Sequence, residues 1–169
     1  MSIVEHLLDL SNIGKNRLCL KWVSASEGML FAEYVTGFSG DIEKAGPFNP
    51  EMFHEQLNAL ERVLSTPRLR WLIGEELALT EQGNVYDTRL DKSEYRQFLL
   101  DAAEKEYQRA LILESIMNEP RSIREIAFST GLPVYTVSIR MGELERIHQA
   151  ELKDYRGTTP RFIGRAAVY

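Results

Sequence analysis

The chain has 169 residues, of which 44% are hydrophobic and 27% charged, a composition typical of a folded globular protein rather than a disordered one. At roughly 150 residues per domain, this length allows one domain or two small ones. No apolar run reaches the roughly 18 residues that a membrane span needs, and no signal-peptide pattern is visible, so we expect a cytoplasmic protein. The single cysteine, Cys19, excludes an intrachain disulfide and an iron–sulfur cluster held by this chain alone.

The net charge of −5 is divided unevenly along the chain. Residues 1–119 carry 12 Lys or Arg against 20 Asp or Glu, whereas residues 120–169 carry 8 against 5. The isoelectric point of 5.3 lies far below the value of about 9 that is typical of a dedicated nucleic-acid-binding domain. An acidic body with a mildly basic C-terminal part indicates two separate roles.

A strand without partners is predicted near the N-terminus. Residues 1–10 have the apolar spacing of a short amphipathic helix, and a turn at residues 12–14 follows it. Arg17–Val23 is then predicted as a strand because apolar side chains alternate on one face: Leu18, Leu20 and Trp22. A single strand cannot satisfy its own backbone donors and acceptors, so we expect it to pair with strands supplied from elsewhere.

The turn after this strand has the features of a helix start. Ser24 and Glu27 have the spacing of a capping box, in which each side chain binds the other residue's backbone amide. The following helix has an apolar stripe and is stopped by Gly46-Pro47. A turn between a strand and a helix is suited to binding an anion or meeting a redox partner, although capping alone explains both side chains. Trp22 is expected in the core, as is usual for a strand aromatic.

Residues 48–92 are predicted to form a helical connector. Asn49-Pro50 and Thr66-Pro67 each combine an N-cap residue with a first-turn proline at the start of an amphipathic helix. Gly83-Asn84 breaks the second helix, and Val85-Tyr86 is predicted as a brief extended segment. This stretch shows no catalytic constellation.

Residues 93–169 have the strongest local pattern, beginning with a long helix from about Ser93 to Asn118. Ser122 and Glu125 form a second capping box at the start of a short helix. A turn at 131–133 separates it from a further helix with apolar residues spaced 4, 3 and 3 apart: Val137, Met141, Leu144 and Ile147.

A small β-wing is predicted from Glu151 to Arg165, so that residues 105–165 resemble a winged helix-turn-helix domain. The predicted fold class is mostly α, with a small α/β fragment over residues 1–47, a helical connector over 48–92 and a winged-helix-like domain over 93–169.

A winged helix has two possible uses, DNA binding and protein docking. In a DNA reader, the second helix of the pair presents polar and basic side chains to base edges. The candidates on that helix are Tyr135, Thr136, Ser138 and Arg140. Arg156 and Arg161, in the predicted wing, would lie near the DNA backbone. Glu143 and Glu145 lie on the same helix, and the small surplus of cations is poor for phosphate binding, so docking is favoured.

Residues 13–47 also resemble a known protein family. The matching motifs are Ile13-Gly14, Arg17-Leu18-Cys19-Leu20-Lys21-Trp22-Val23-Ser24-Ala25-Ser26-Glu27-Gly28, Phe31-Ala32-Glu33 and Gly46-Pro47. They resemble the C-terminal end of the methyl-viologen-reducing hydrogenase delta subunit. This iron–sulfur subunit links a hydrogenase or another electron donor to heterodisulfide reductase, and the resemblance covers about a quarter of the chain.

The resemblance implies an accessory role in an anaerobe's cytoplasmic electron-transfer complex. Cysteines in an N-terminal half of that family hold a [2Fe–2S] cluster, and this chain is expected to begin after that half. It would carry no cofactor of its own. Instead, it would complete and dock a [2Fe–2S]-carrying delta-type subunit between an electron donor and a heterodisulfide-reductase-like protein with FAD and iron–sulfur groups. The alternative is a winged-helix transcriptional regulator that binds DNA.

The partner-docking residues of this hypothesis are Trp22, Ser24, Ser26 and Glu27. No catalytic, cofactor-binding or metal-binding residues are assigned. Cys19 has no histidine near it in the sequence and is expected to be a small buried apolar residue. The histidines share no spacing typical of metal ligands: His6, His54 and His148.

Overall fold

A computed structural model describes residues 2–82 and 89–165, which fall into two compact units, Met1–His54 and Glu55–Tyr169. The described part is mostly helical, with one two-stranded antiparallel sheet. The segment Val85-Tyr86, predicted as extended, lies outside the described residues. None of the described helices is both long and apolar enough to span a bilayer.

The first unit contains two helices, α1 (Ser2–Leu10) and α2 (Gly28–Ala45). Two short 3-10 turns lie between and after them, at Lys15–Arg17 and Pro50–Phe53. The second turn begins as predicted, because the Asn49 side chain accepts a hydrogen bond from the amide of Glu51 at 3.0 Å.

The predicted strand Arg17–Val23 is wrong for this chain, since the described residues of the first unit contain no strand. Residues 18–24 have no regular secondary structure. The physical reason is that a strand needs a second strand to hydrogen-bond with its backbone, and the described residues of this unit provide none. Two burial predictions are wrong for the same reason, because Trp22 is 88% exposed and Cys19 is exposed.

The second unit begins with helices α3 (His54–Ser65), α4 (Pro67–Leu77) and α5 (Lys92–Ser115), with a π-helical turn at Ala78–Gln82. The cap of α5 is Asp91, whose Oδ1 accepts from the amides of Ser93 and Glu94 at 2.8 and 3.1 Å. Those bonds, with the Ser93 hydroxyl foremost, lower the pKa of Asp91. Thr66 does not cap α4 with its side chain; its hydroxyl donates to the Val63 carbonyl at 2.8 Å instead.

The C-terminal half of this unit contains α6 (Ile123–Thr130), α7 (Val134–Arg146) and a hairpin of β1 (Ala150–Arg156) and β2 (Thr159–Gly164). The second capping box is present in both directions, and α6 ends at Gly131 with a left-handed φ of 71°. The core here is formed by α5, α6, α7 and β1: Ile112, Leu113, Ile116, Ile126, Ala127, Val137, Met141, Leu144 and Ala150. Ile147 lies beyond α7 and is exposed, unlike the three apolar residues before it.

A chain of ion pairs connects α4, α5 and α7. Arg68 of α4 lies 3.5 Å from Glu106 of α5, which also binds Arg109 one turn further on. Arg109 then reaches Glu143 of α7 at 2.8 Å, and Glu143 binds Arg140 at 2.5 Å. All of these side chains except that of Arg68 are at most 25% exposed, so the pairs lie partly out of solvent.

Candidate docking site

The segment Leu18–Ser24 runs back along α2 from its C-terminal end. The Arg17 guanidinium donates to the carbonyls of Ala45 and Gly46 at 3.0 and 3.2 Å, where a cation is favoured by the helix dipole. The same guanidinium lies 5.2 Å from the ring centre of Phe48. Arg17 therefore fixes the start of the segment at the end of α2.

The other end of the segment leads directly into the start of α2, which forces it to be extended. The 18 residues of α2 span about 27 Å at 1.5 Å per residue. Leu18–Ser24 covers roughly 23 Å even when fully extended, at about 3.3 Å per residue. Leu18 has φ −135° and ψ 132°, which are strand values. The segment thus has the position and direction of a strand beside its helix, without a ladder.

The two faces of this segment differ. Lys21 lies over the ring of Tyr34, 5.4 Å from its centre, so this side chain faces α2. Alternation in an extended chain then directs Leu20 and Trp22 away from α2, and they are 53% and 88% exposed. No described residue makes a backbone hydrogen bond to Cys19–Val23. An apolar face and a row of free peptide groups are presented together.

Helix α2 is also incompletely covered. None of its 18 residues is buried, although its sequence has a clear apolar stripe. Tyr34, Phe38 and Ile42 are half-buried, whereas Phe31 and Val35, one turn apart, are 60% and 47% exposed. A helix with such a stripe normally buries it against another element. We call the combined surface of residues 18–24 and the exposed stripe of α2 the open face.

The turn at Ser24–Glu27 brings three of the four predicted docking residues together. The Glu27 carboxylate accepts from the Ser24 amide at 2.8 Å, which is one arm of the predicted capping box. The other arm is absent, because the Glu27 amide donates to the Ser24 carbonyl at 3.0 Å and the Ser24 hydroxyl lies 3.2 Å from that of Ser26. The helix starts at Gly28, and the turn is exposed. Trp22 lies two residues before it and contributes no described contact to the turn.

Other chemistry at this site is sparse. Among the described residues, no group of three His, Cys, Asp or Glu side chains is placed to hold a metal ion. The Nε2 atom of His6 is buried without a hydrogen-bond partner in the described structure. The exposed apolar side chains and unpaired peptide groups of the open face are features that suit association with another chain.

Sequence reasoning missed the two cations that position the open face. In the sequence, Arg17 and Lys21 are simply polar residues that alternate with the apolar residues of the predicted strand. A cation just before the segment, 29 residues from the carbonyl it binds at Gly46, has no local signature. The nearest available signal was the Gly46 helix stop, which marks a helix end where a cation is favoured.

Comparison with known proteins supports a relation for part of the chain. A stretch of 49 residues is 43% identical to an F420-non-reducing hydrogenase iron-sulfur subunit from Archaeoglobus profundus. The stretch is 29% of this chain and 36% of that relative, so the chain spans about a third of the length of the curated relative it matches. No family model and no solved structure matches. Part of this chain is thus similar to a hydrogenase iron–sulfur subunit.

Proposed function

We propose that this chain is a non-catalytic subunit of a cytoplasmic, heterodisulfide-reductase-like electron-transfer complex. Its open face completes the fold of a [2Fe–2S]-carrying delta-type subunit and holds that subunit between an electron donor and a flavin- and iron–sulfur-containing reductase. The observation that carries the proposal is the unpaired segment Cys19–Val23, with apolar side chains exposed beside it. The similarity to a hydrogenase iron–sulfur subunit supports an accessory role in electron transfer.

Strand addition explains why the open face has both unpaired peptide groups and apolar side chains. A partner strand placed beside Cys19–Val23 would satisfy the backbone, while Leu20 and Trp22 would enter the partner's core. An exposed apolar strand edge invites aggregation when it is left uncovered. A dedicated partner removes that hazard and uses the same surface for recognition.

The cluster and the FAD are assigned to the partner subunits. A [2Fe–2S] cluster normally takes four cysteine ligands, and this chain contributes only Cys19. The role of the chain is then positional, because electron tunnelling slows steeply as the distance between redox groups increases. Ser24, Ser26 and Glu27 form the turn that we place nearest the partner's redox site.

Residues 93–169 of the second unit are assigned as a winged helix used for docking. The helices α5, α6 and α7 followed by the hairpin, with Arg121 and Phe162 joined as an isolated bridge, have the order of that fold. Arg140, the expected base-reading cation, is tied to Glu143 and donates to Gln108 at 2.9 Å. The exposed charges Glu145 and Arg146 lie at the end of α7, and over its first two turns the exposed residues are instead apolar or neutral: Val134, Tyr135, Ser138 and Ile139. This favours protein over DNA as the partner.

Binding of the purified chain to a recombinant cluster-bearing delta-type subunit tests the main proposal. Leu20→Asp places a charge on the open face and should weaken the complex at least about tenfold, or about 1.4 kcal/mol. Leu77→Asp is the matched control, since Leu77 is similarly exposed at 56% but lies on α4 of the second unit. Equal affinities for wild type and Leu20→Asp, or an equal loss in the control, would contradict the open face as the interface.

The positional role has a separate test. Ser24→Ala combined with Glu27→Ala should lower electron transfer through an assembled complex whose subunit and iron contents are unchanged. Unaltered turnover in that complex would remove the turn from the contact nearest the redox site.

A further inference from the structure

A cleft rich in arginine lies between α6 and the β-hairpin of the second unit. It has a volume of about 590 Å³, and its lining includes Arg121, Arg124, Arg156, Arg161 and Phe128. We call it the arginine cleft. It is distant in sequence from the open face and lies in the winged helix assigned above to docking, so the inference below rests on that assignment and adds the chemistry of the partner.

The fold brings these arginines together by three devices. Arg121 is fixed to β2 by paired backbone hydrogen bonds with Phe162, at 3.0 and 2.8 Å. The capping box follows at once and places Arg124 in the first turn of α6. In the hairpin, Arg156 pairs with Thr159 and Asp154 pairs with Arg161, so both arginines lie on one face of the sheet.

Two of the four cations are already neutralised. Arg121 donates to Glu119 at 2.7 Å, and Arg161 binds both carboxylate oxygens of Asp154 at 2.8 and 3.1 Å. Arg124 and Arg156 make no ion pair or hydrogen bond with any described residue. The cleft therefore keeps two cations available for a ligand.

Of the two carboxylates that line the cleft, Glu125 forms no ion pair with either of these two cations. Glu125 is held by the Ser122 amide and hydroxyl, each at 2.8 Å. These two bonds are the main causes of the lowered pKa of Glu125, with smaller contributions from Arg161 and Arg156. Glu125 is thus committed to the cap of α6 through its Oε2 atom.

Phe128 adds an apolar contact at the edge of the same cleft. This side chain is 93% exposed, among the most exposed large apolar side chains in the described structure. A ligand that binds the two free arginines needs an apolar group as well if it is to remove the Phe128 ring from water. The cleft thus presents two recognition elements side by side, cationic and apolar.

We propose that the arginine cleft binds an acidic protein segment in which carboxylates engage Arg124 and Arg156 while an apolar side chain packs on Phe128. Arginine forks match carboxylates in paired hydrogen bonds. A nucleic acid fits less well, because its regular row of phosphates needs one cation each.

Fluorescence anisotropy with the full chain tests this proposal directly. The probe is a labelled peptide of Glu, Phe, Ser and Gly, compared with the same peptide carrying Gln at every Glu and with a duplex DNA of mixed sequence. We expect the acidic peptide to bind at least about tenfold more tightly than its Gln form. Arg124→Gln with Arg156→Gln should remove that preference, and Phe128→Ser should weaken both peptides.

The matched control is Arg146→Gln. Arg146 is an exposed arginine of α7 that does not line the cleft. Unchanged helical circular dichroism in every variant separates loss of binding from loss of fold. Equal binding of the acidic and Gln peptides, or an equal effect of Arg146→Gln, would overturn the proposal. So would tighter binding of the duplex with a steep salt dependence, which would make the cleft a nucleic-acid surface instead.

Discussion

The two Ser-x-x-Glu turns of the chain should differ in their contribution to stability, although their sequences predict the same capping box. At the start of α6, the Ser122 hydroxyl accepts from the Glu125 amide at 3.3 Å and donates to the Glu125 carboxylate at 2.8 Å. Ser122 is only 6% exposed, so water replaces these bonds poorly. At the start of α2, the Ser24 hydroxyl makes no bond to a helix amide.

Ser122→Ala should therefore lower the free energy of unfolding by about 1 kcal/mol, a typical cost of losing an N-cap side chain. The hydrogen bond from the Glu125 amide to the Ser122 hydroxyl is long at 3.3 Å. The substitution also leaves intact the 2.8 Å bond from the backbone amide of residue 122 to the Glu125 carboxylate. The loss of stability should therefore not reach the top of the usual range. Ser24→Ala should change the free energy of unfolding by no more than about 0.5 kcal/mol, as is usual for an exposed site, because the one arm that exists there belongs to Glu27.

Urea unfolding measures the difference. In a Trp22→Phe background, Trp71 is the remaining tryptophan of the chain and reports on the second unit. With a slope of about 2 kcal/mol per molar urea, Ser122→Ala should move the midpoint down by about 0.5 M. Ser24→Ala is followed by helical circular dichroism in the same way. Equal decreases in the free energy of unfolding for the two substitutions would refute the reasoning, because the difference in hydrogen bonding between the two turns would then have no effect on stability.

Three further predictions concern the buried parts of the second unit. Tyr95→Phe removes a 2.6 Å hydrogen bond to the Leu72 carbonyl and should cost about 1 kcal/mol by urea unfolding; an unchanged midpoint would count against that bond. Leu144→Ala truncates a fully buried side chain and should cost about 2–5 kcal/mol, seen as a lower melting temperature. Burial raises the pKa of Tyr107 to about 12. Its neutral form therefore stabilises the folded state below the ordinary pKa of about 10, and this stability is lost as the pH rises toward 12. Absorbance at alkaline pH should show a late phenolate step that Tyr107→Phe lacks.

The parts of the fold that local chemistry determines could be predicted from the sequence. Ser122 with Glu125 gave the start of α6, and the spacing of Val137, Met141 and Leu144 gave the buried side of α7. The long helix was predicted about one turn beyond its observed end at Ser115, because apolar periodicity continues past the last helical hydrogen bonds. Such signals act over three or four residues and do not need the rest of the chain.

The features that depend on distant residues could not be predicted in the same way. The alternation of Leu18, Leu20 and Trp22 predicted a strand. Alternation shows which side chains share one side of a strand, but it does not show whether a second strand is present to pair with it. Trp22 and Cys19 are exposed for that reason. Arg156 and Arg161 were predicted only as cations near a DNA backbone. Their grouping with Arg124 was missed because Arg124 is 32 residues from Arg156, and the bridge between Arg121 and Phe162 brings α6 to the hairpin. Three of the four docking residues share one turn, yet their role in binding stays a prediction.

The chain of ion pairs from Arg68 through Glu106, Arg109 and Glu143 to Arg140 has a consequence for heat tolerance. The hydration of charged groups becomes less favourable as temperature rises, so removing these side chains from water costs less in a hot solution than in a cool one. Shared partners also mean that each added pair immobilises few new side chains. The contacts that join α4, α5 and α7 should thus weaken less on heating than isolated surface pairs such as Lys44–Asp41.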